Sequence, residues 1–185
     1  MMEPEGNGML RRLDPWFWGT ALLTFLADQT AKALVQGYLH LGQSIPLAGP
    51  LRITYVTNPG AAFGLFPGAT GMLVLASLVG MVLVLYIYRS QEGQGRLFRL
   101  ALGLQMGGAM GNLLDRLRLG YVVDFIDLRV WPVFNLADSS IVVGLTLLVL
   151  LTLWSRPRPR REEAPTAPAE PPSPPEASDA GPPGR

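Results

Sequence analysis

The sequence contains no cysteine, which removes disulfides, thiolate zinc sites, iron–sulfur clusters and cysteine nucleophiles from the chemistry open to it. It has a single histidine, His40, so histidine-rich metal centres and Ser-His-Asp catalysis fall away as well. A surplus of charge is also missing. Fifteen Lys and Arg stand against fourteen Asp and Glu, a formal net charge of +1, and no basic field marks the chain as a nucleic-acid binder. No metal and no organic cofactor is expected, which leaves carboxylates, amides and hydroxyls as the reactive groups.

Apolar residues are what the chain has in quantity. Hydrophobic residues make up 49% of its 185 positions and the mean hydropathy is +0.27, which points to a membrane protein. Residues 155–185 hold more than half of the seventeen prolines and almost no large apolar side chains. They are expected to form a disordered, Pro-rich cytoplasmic tail. Residues 1–13 are read as a flexible cytoplasmic N-terminus, which leaves 14–154 as the folded membrane domain. Four apolar runs stand out in that domain, about 16–35, 72–88, 97–114 and 136–154. At ~1.5 Å of rise per residue each approaches the ~30 Å hydrocarbon thickness, so four transmembrane helices are expected. A cleavable signal peptide is the competing reading of the first run, but Asp28, Gln29 and Lys32 stand where cleavage would want small neutral residues. Asp14-Pro15 is a helix opening, Asp as N-cap and Pro at the first position. Gly103, Gly107 and Gly111 recur on one face of the third run, a spacing that lets two membrane helices approach closely.

An even number of spans puts both termini on one side. That side, with the second loop, collects Arg11, Arg12, Arg89, Arg96, Arg99, Arg156, Arg158, Arg160 and Arg161, and the other holds only Arg52, Arg116, Arg118 and Arg129, with Lys32 near a helix end. Both termini are therefore expected in the cytoplasm. In the two outer loops, residues 51–57 and 121–131 are rich in β-branched and aromatic residues. A small extracytoplasmic β-sheet resting on a four-helix membrane bundle is the expected fold.

Five acids, Asp28, Asp115, Asp124, Asp127 and Asp138, fall on the outer side at or beside helix ends, and the other nine lie in the termini, the tail or the cytoplasmic loop. A carboxylate near hydrocarbon is costly unless paired or hydrated, so each is a functional candidate to weigh against a structural role. Asp28 and Lys32 have the i,i+4 spacing of a helical ion pair. Asp127 and Arg129 would share one strand face, with Asp127 a solvated pairing partner. Asp115 sits at a helix C-terminus, where a negative charge needs compensation. Asp124 lies in Tyr121-Val122-Val123-Asp124-Phe125-Ile126 with no basic neighbour, and is expected to be partly desolvated. Asp138 opens the fourth helix, where an N-cap and a catalytic role fit equally well. If Asp124 and Asp138 meet at the membrane surface they would hold one proton between them, one activating water and the other protonating a leaving amine.

Asp28-Gln29-Thr30-Ala31-Lys32, Asn58-Pro59-Gly60-Ala61-Ala62-Phe63-Gly64, Gly111-Asn112-Leu113-Leu114-Asp115-Arg116, Val123-Asp124-Phe125 and Phe134-Asn135-Leu136-Ala137-Asp138-Ser139 occur in this order. Together they resemble the bacterial lipoprotein signal peptidases, signal peptidase II, through most of 14–154. The resemblance implies an aspartic endopeptidase of the bacterial inner membrane. It would cut a prolipoprotein just before the cysteine that carries a diacylglyceryl group. By motif match Asp124 and Asp138 would be the catalytic pair. Asn58, Asn112, Arg116 and Asn135 would line the site, and Asp28, Gln29, Lys32 and Asp115 would support it. The implied partners are the lipidated prolipoprotein and membrane lipid, and the implied state is a monomer with its site facing outward.

Two other classes put acids in membrane helices. A proton-coupled small transporter would carry them nearer the midplane, with broken helices or internal repeats, and no convincing repeat is present. A presenilin-type protease would carry Gly-Xaa-Gly-Asp, whereas Tyr121-Val122-Val123 precede Asp124 and Asn135-Leu136-Ala137 precede Asp138.

Overall fold

The computed structural model describes residues 14–60, 70–91 and 94–154. The expectations for 1–13 and 155–185, and the motif residues Ala61, Ala62, Phe63 and Gly64, lie outside the described residues. Four helices occupy the four apolar runs: α1 (Pro15–Tyr38), α2 (Thr70–Ser90), α3 (Arg96–Leu119) and α4 (Leu136–Trp154). Three short strands lie between them: β1 (Ser44–Ile45), β2 (Arg52–Asn58) and β3 (Val122–Asp127).

The opening of α1 is the one the sequence predicts. Asp14 accepts the Trp16 N–H at 2.9 Å, and Pro15 stands at the first position, where a missing N–H costs nothing. The Asp14 carboxylate also pairs with Arg99 in the first turn of α3, which ties the two helix starts together. The other end of α3 is closed by Gly120 at φ 80, a left-handed cap that glycine adopts without a Cβ clash. By length and composition α2 and α4 are candidate membrane spans, with mean hydropathies of 2.3 and 2.1 over their most apolar windows. α1 and α3 carry the polar residues described below.

α3 is packed between α1 and α4, and small residues are the reason. A Cβ added at Gly103 would lie 2.7 Å from the Phe17 carbonyl oxygen of α1. One at Gly108 would lie 2.5 Å from the Ala137 carbonyl of α4, and one at Gly144 of α4 would lie 2.5 Å from the Ala101 carbonyl of α3. These are backbone-to-backbone approaches with no flexible group to give way, so the glycine spacing is a packing device, as expected. An apolar cluster of Phe17, Ala21, Val84, Leu102 and Met106 fills the space among α1, α2 and α3, and Phe17 stacks on Tyr88 at 4.2 Å between ring centroids.

The sheet has the order β1-β2-β3, antiparallel throughout. It rests on the C-terminal part of α1 through Val35, Leu39, Val123 and Phe125. β1 was not expected from the sequence, because two residues leave no periodic signal. Between β2 and β3 the register is irregular: Ile53 faces Ile126 and Val56 faces Asp124, three steps on one strand against two on the other. The extra residue is a β-bulge, and it exchanges the faces on which successive side chains of β2 point.

The expected pairing of Asp127 with Arg129 is corrected. β3 ends at Asp127, Arg129 has a positive φ of 67, and the chain turns away from the strand there. Asp127 is buried rather than solvated. It accepts from Arg52 at 2.5 Å and Thr54 at 2.9 Å on β2, and only the backbone N–H of Arg129 reaches it, at 2.9 Å.

Candidate active site

Asp124 and Asp127 are three residues apart on β3 and so point to opposite faces. Their partners on β2, Asn58 and Arg52, are six apart, which in a regular strand would put both on one face. The bulge resolves the mismatch. Arg52 and Thr54 stay with Asp127, and Asn58, two beyond Val56, turns to the Asp124 face and donates its Nδ2 to Asp124 at 3.0 Å. The other carboxylate oxygen of Asp124 accepts Asn135 Nδ2 at 2.7 Å. Burial pushes the Asp124 carboxyl up to about 6; the Asn58 hydrogen bond opposes this and the nearby charge of Asp138 adds to it. On the opposite face, the hydrogen bond from Arg52 holds Asp127 down at about 2.

Asp138 reaches the same place from α4, and it is not the cap. Asn135 precedes the helix, and its Oδ1 accepts the Asp138 backbone N–H at 2.8 Å. That makes Asn135 the N-cap and leaves the Asp138 side chain, in the first turn, free for other work. Its Oδ1 accepts Asn112 Nδ2 at 2.7 Å. Asn112 Oδ1 in turn accepts Asn135 Nδ2 at 3.1 Å, so two amides bridge the two aspartates.

Behind the amides lies a buried ionic cluster. Lys32 Nζ lies 2.8 Å from Asp28 and 2.9 Å from Asp115 and donates to Asn112 Oδ1 at 3.0 Å. The expected Asp28–Lys32 pair is therefore present, and the compensation that Asp115 needs comes from Lys32 on α1 rather than from Arg116. Gln29 Nε2 adds bonds to Asp115 at 3.0 Å and to the Gly111 carbonyl at 3.2 Å. The second oxygen of Asp115 accepts the Val123 N–H at 3.1 Å, which anchors β3. Asp28 Oδ1 accepts the Ala137 N–H at 2.9 Å, a negative charge at the N-terminus of α4. Asp28 thus holds the start of the helix that carries Asp138, and Asp115 the strand that carries Asp124.

Asn58, Asn112, Arg116, Asp124 and Asp138 line one cavity of about 840 Å³, at the upper end of the ~300–1,000 Å³ typical of small-ligand sites. Arg116 is held by a bond from its Nη1 to the Asn112 carbonyl at 3.3 Å. Asn135 is fully buried behind the wall, and Asp28, Gln29, Lys32 and Asp115 stand further back. Sequence reasoning missed the apolar wall, built by Leu128, Trp131 and Val133 of the loop after β3 and by Val142 and Val143 of α4. Its one available signal was an apolar segment in a loop otherwise expected to meet water. Among the described residues no cluster of His, Cys, Asp or Glu is arranged to hold a metal ion.

The family model described as "Signal peptidase (SPase) II" matches residues 20–154. The lipoprotein signal peptidase of Halothermothrix orenii is 45% identical over 138 residues, covering 74% of this chain and 94% of that protein. The one from Moorella thermoacetica is 47% identical over 129 residues, covering 69% and 86%. A bacterial membrane enzyme of solved structure superposes with a TM-score of 0.71 at 28% identity, over 78% of this chain and 92% of that one. By this span of matched sequence and fold, the chain belongs to the signal peptidase II family of membrane aspartic peptidases.

Proposed function

We propose that the protein removes the signal peptide of bacterial prolipoproteins by cutting before the diacylglyceryl-modified cysteine, with Asp124 and Asp138 as a catalytic dyad. The observation that carries this reading is that two carboxylates from separate elements, β3 and α4, line one cavity and are tied to each other through Asn112 and Asn135. With one proton shared, the ionised carboxylate takes a proton from water as it attacks the scissile carbonyl, and the protonated one donates to the leaving amine. Asn58 and Arg116, which line the cavity beside the dyad, hold the substrate backbone, and Lys32 with Asp28, Gln29 and Asp115 keeps the amides aligned.

All four helices cross the membrane in this reading. The polar residues of α1 and α3 are turned onto each other and onto the site, which supports a span for two helices of lower overall hydropathy. Both termini then lie in the cytoplasm, with the dyad at the outer surface, where a lipidated cysteine anchored in the outer leaflet is presented.

The test is cleavage of a diacylglyceryl-modified prolipoprotein by the purified full-length chain, beside Asp124→Asn and Asp138→Asn. Both variants should fold and lose cleavage. Full activity in either would remove that aspartate from the mechanism.

A further inference from the structure

The Arg52–Asp127 pair takes no part in the proposed chemistry, yet it gathers two loops. β2 begins at Arg52 and β3 ends at Asp127, and the two are partners in an antiparallel pair. The loop that enters β2 and the chain that leaves β3 therefore lie at the same end of the sheet. Arg52 Nη1 donates to the Leu47 carbonyl at 3.3 Å and Nη2 to Asp127 at 2.5 Å, and Asp127 Oδ1 accepts the Arg129 N–H at 2.9 Å. One ion pair holds the backbone of both loops.

What these loops present is apolar. No residue from Leu41 to Leu51 carries a charge. Leu47 is 86% exposed and Leu51 58%, and in the other loop Val130 is 91% exposed. None of the three lines the cavity. Large apolar side chains left so open at one end of one sheet mark a contact surface. Arg129 adds a cation beside them, its guanidinium without an acidic partner among the described residues. The sheet starts at Val122, just after α3, and rests through Val123 and Phe125 on Val35 and Leu39 of α1 and on Leu136 at the start of α4. Both loops lie at its far end, past Ile126, where Phe134 pairs with the strand.

From this arrangement we infer that residues 46–51 and 129–130 form an interfacial anchor. Leu47, Leu51 and Val130 enter the outer leaflet beside the bundle, Arg129 meets lipid phosphate, and the sheet that carries Asn58 and Asp124 is held at headgroup depth. The inference rests on the four-span reading and goes beyond the peptidase one. A sheet laid across the outer ends of membrane helices has lipid around it at its own level, so no further partner has to be recruited. Apolar side chains with an arginine among them match the boundary between acyl chains and phosphates. The Leu47 carbonyl and the Arg129 N–H are already bonded, which leaves fewer unmet backbone groups in a medium poor in water.

The chain has no cysteine, so Leu47→Cys and Val130→Cys each take a single environment-sensitive fluorophore in the full-length protein. In proteoliposomes, lipids with a nitroxide near the top of one acyl chain should quench either label by roughly half, and iodide should quench it several-fold less than the free dye adduct. Strong iodide quenching with little from the lipid would overturn the anchor. A second measurement leaves the protein unsubstituted: a phospholipid carrying a diazirine near its headgroup should label peptides containing 46–51 and 129–130, and labelling confined to the helices would refute the proposal. The consequence for the dyad is read with Leu47→Asp and Val130→Asp combined. Cleavage in detergent should stay within about twofold, and kcat/KM in proteoliposomes should fall roughly fivefold. Equal loss in both media, the result expected if these loops grip the substrate instead, would overturn the assignment, as would no loss in proteoliposomes. If the unsubstituted protein cleaves nothing, the peptidase reading falls, and the quenching and labelling still decide the anchor.

Discussion

Lys32 has three ammonium hydrogens and three acceptors around it, Asp28, Asp115 and Asn112, with almost no access to water. Its role reaches the dyad through Asn112. Donation to Asn112 Oδ1 fixes which way that amide points, so Nδ2 faces Asp138. Lys32→Met would leave two carboxylates buried without a cation, and breaking such a cluster typically costs ~3–5 kcal/mol. A matching fall in the thermal unfolding midpoint in detergent is expected, together with loss of cleavage; an unchanged midpoint would show that water replaces the ammonium. Asn58 acts on Asp124 more selectively. Its hydrogen bond favours the ionised carboxylate, so Asn58→Ala should raise the Asp124 pKa further above 6. The limb of the kcat/KM profile that Asp124 governs should then move upward by about one pH unit, and an unmoved profile would detach Asn58 from the dyad. The two strand acids also act oppositely on stability. Asp124, raised from 3.8 to about 6, disfavours the folded state as pH rises across that interval, where the native chain holds a proton that the unfolded chain has released. Asp127, lowered from 3.8 to about 2, contributes stability above that interval, which is lost as pH falls through it.

Among the elements, β2 carries the least obvious design. Its bulge lets residues of the same parity serve both faces of β3, Arg52 and Thr54 on one and Asn58 on the other. Deleting Tyr55, which lies within the irregular stretch, would restore regular pairing and turn either Asn58 from Asp124 or Arg52 from Asp127. Cleavage should be lost, while Tyr55→Phe, which keeps the residue count, should retain most of it; full activity in the deletion would show that strand register does not position the site. The start of α4 is a second device. Asn135 caps the helix through its Oδ1 while its Nδ2 bridges Asp124 and Asn112, so one side chain fixes both the helix start and the link between the two aspartates.

For the whole molecule, the reading of both termini as cytoplasmic is open to direct measurement because the chain has no native cysteine. His40, after α1, and Gln91, after α2, are both exposed and each follows the C-terminal end of its helix, which in the four-span reading puts them on opposite faces of the membrane. In intact spheroplasts His40→Cys should react with a membrane-impermeant maleimide and Gln91→Cys should react only after lysis; the reverse would invert the topology. The four helices were legible in the sequence because hydrophobic length is a local property, and so were the Asp14 cap and the Gly103-Gly107-Gly111 face, which depend only on neighbours or helical period. Asp124 and Asp138 could be singled out from apolar context and resemblance. Apart from Lys32 for Asp28, an i,i+4 pair, the groups that compensate the acids were not legible. Arg52 for Asp127 and Lys32 for Asp115 lie 75 and 83 positions away along the chain, and no periodicity reports such a distance. The same limit hid the β2 bulge, which exists only as a register between two strands, and the apolar cavity wall that the loop after β3 builds together with α4. Local chemistry is written residue by residue, so the sequence alone determined the helices and the candidate acids. Partners, faces and the shape of the cavity follow from where distant segments meet, and only the tertiary structure decided those.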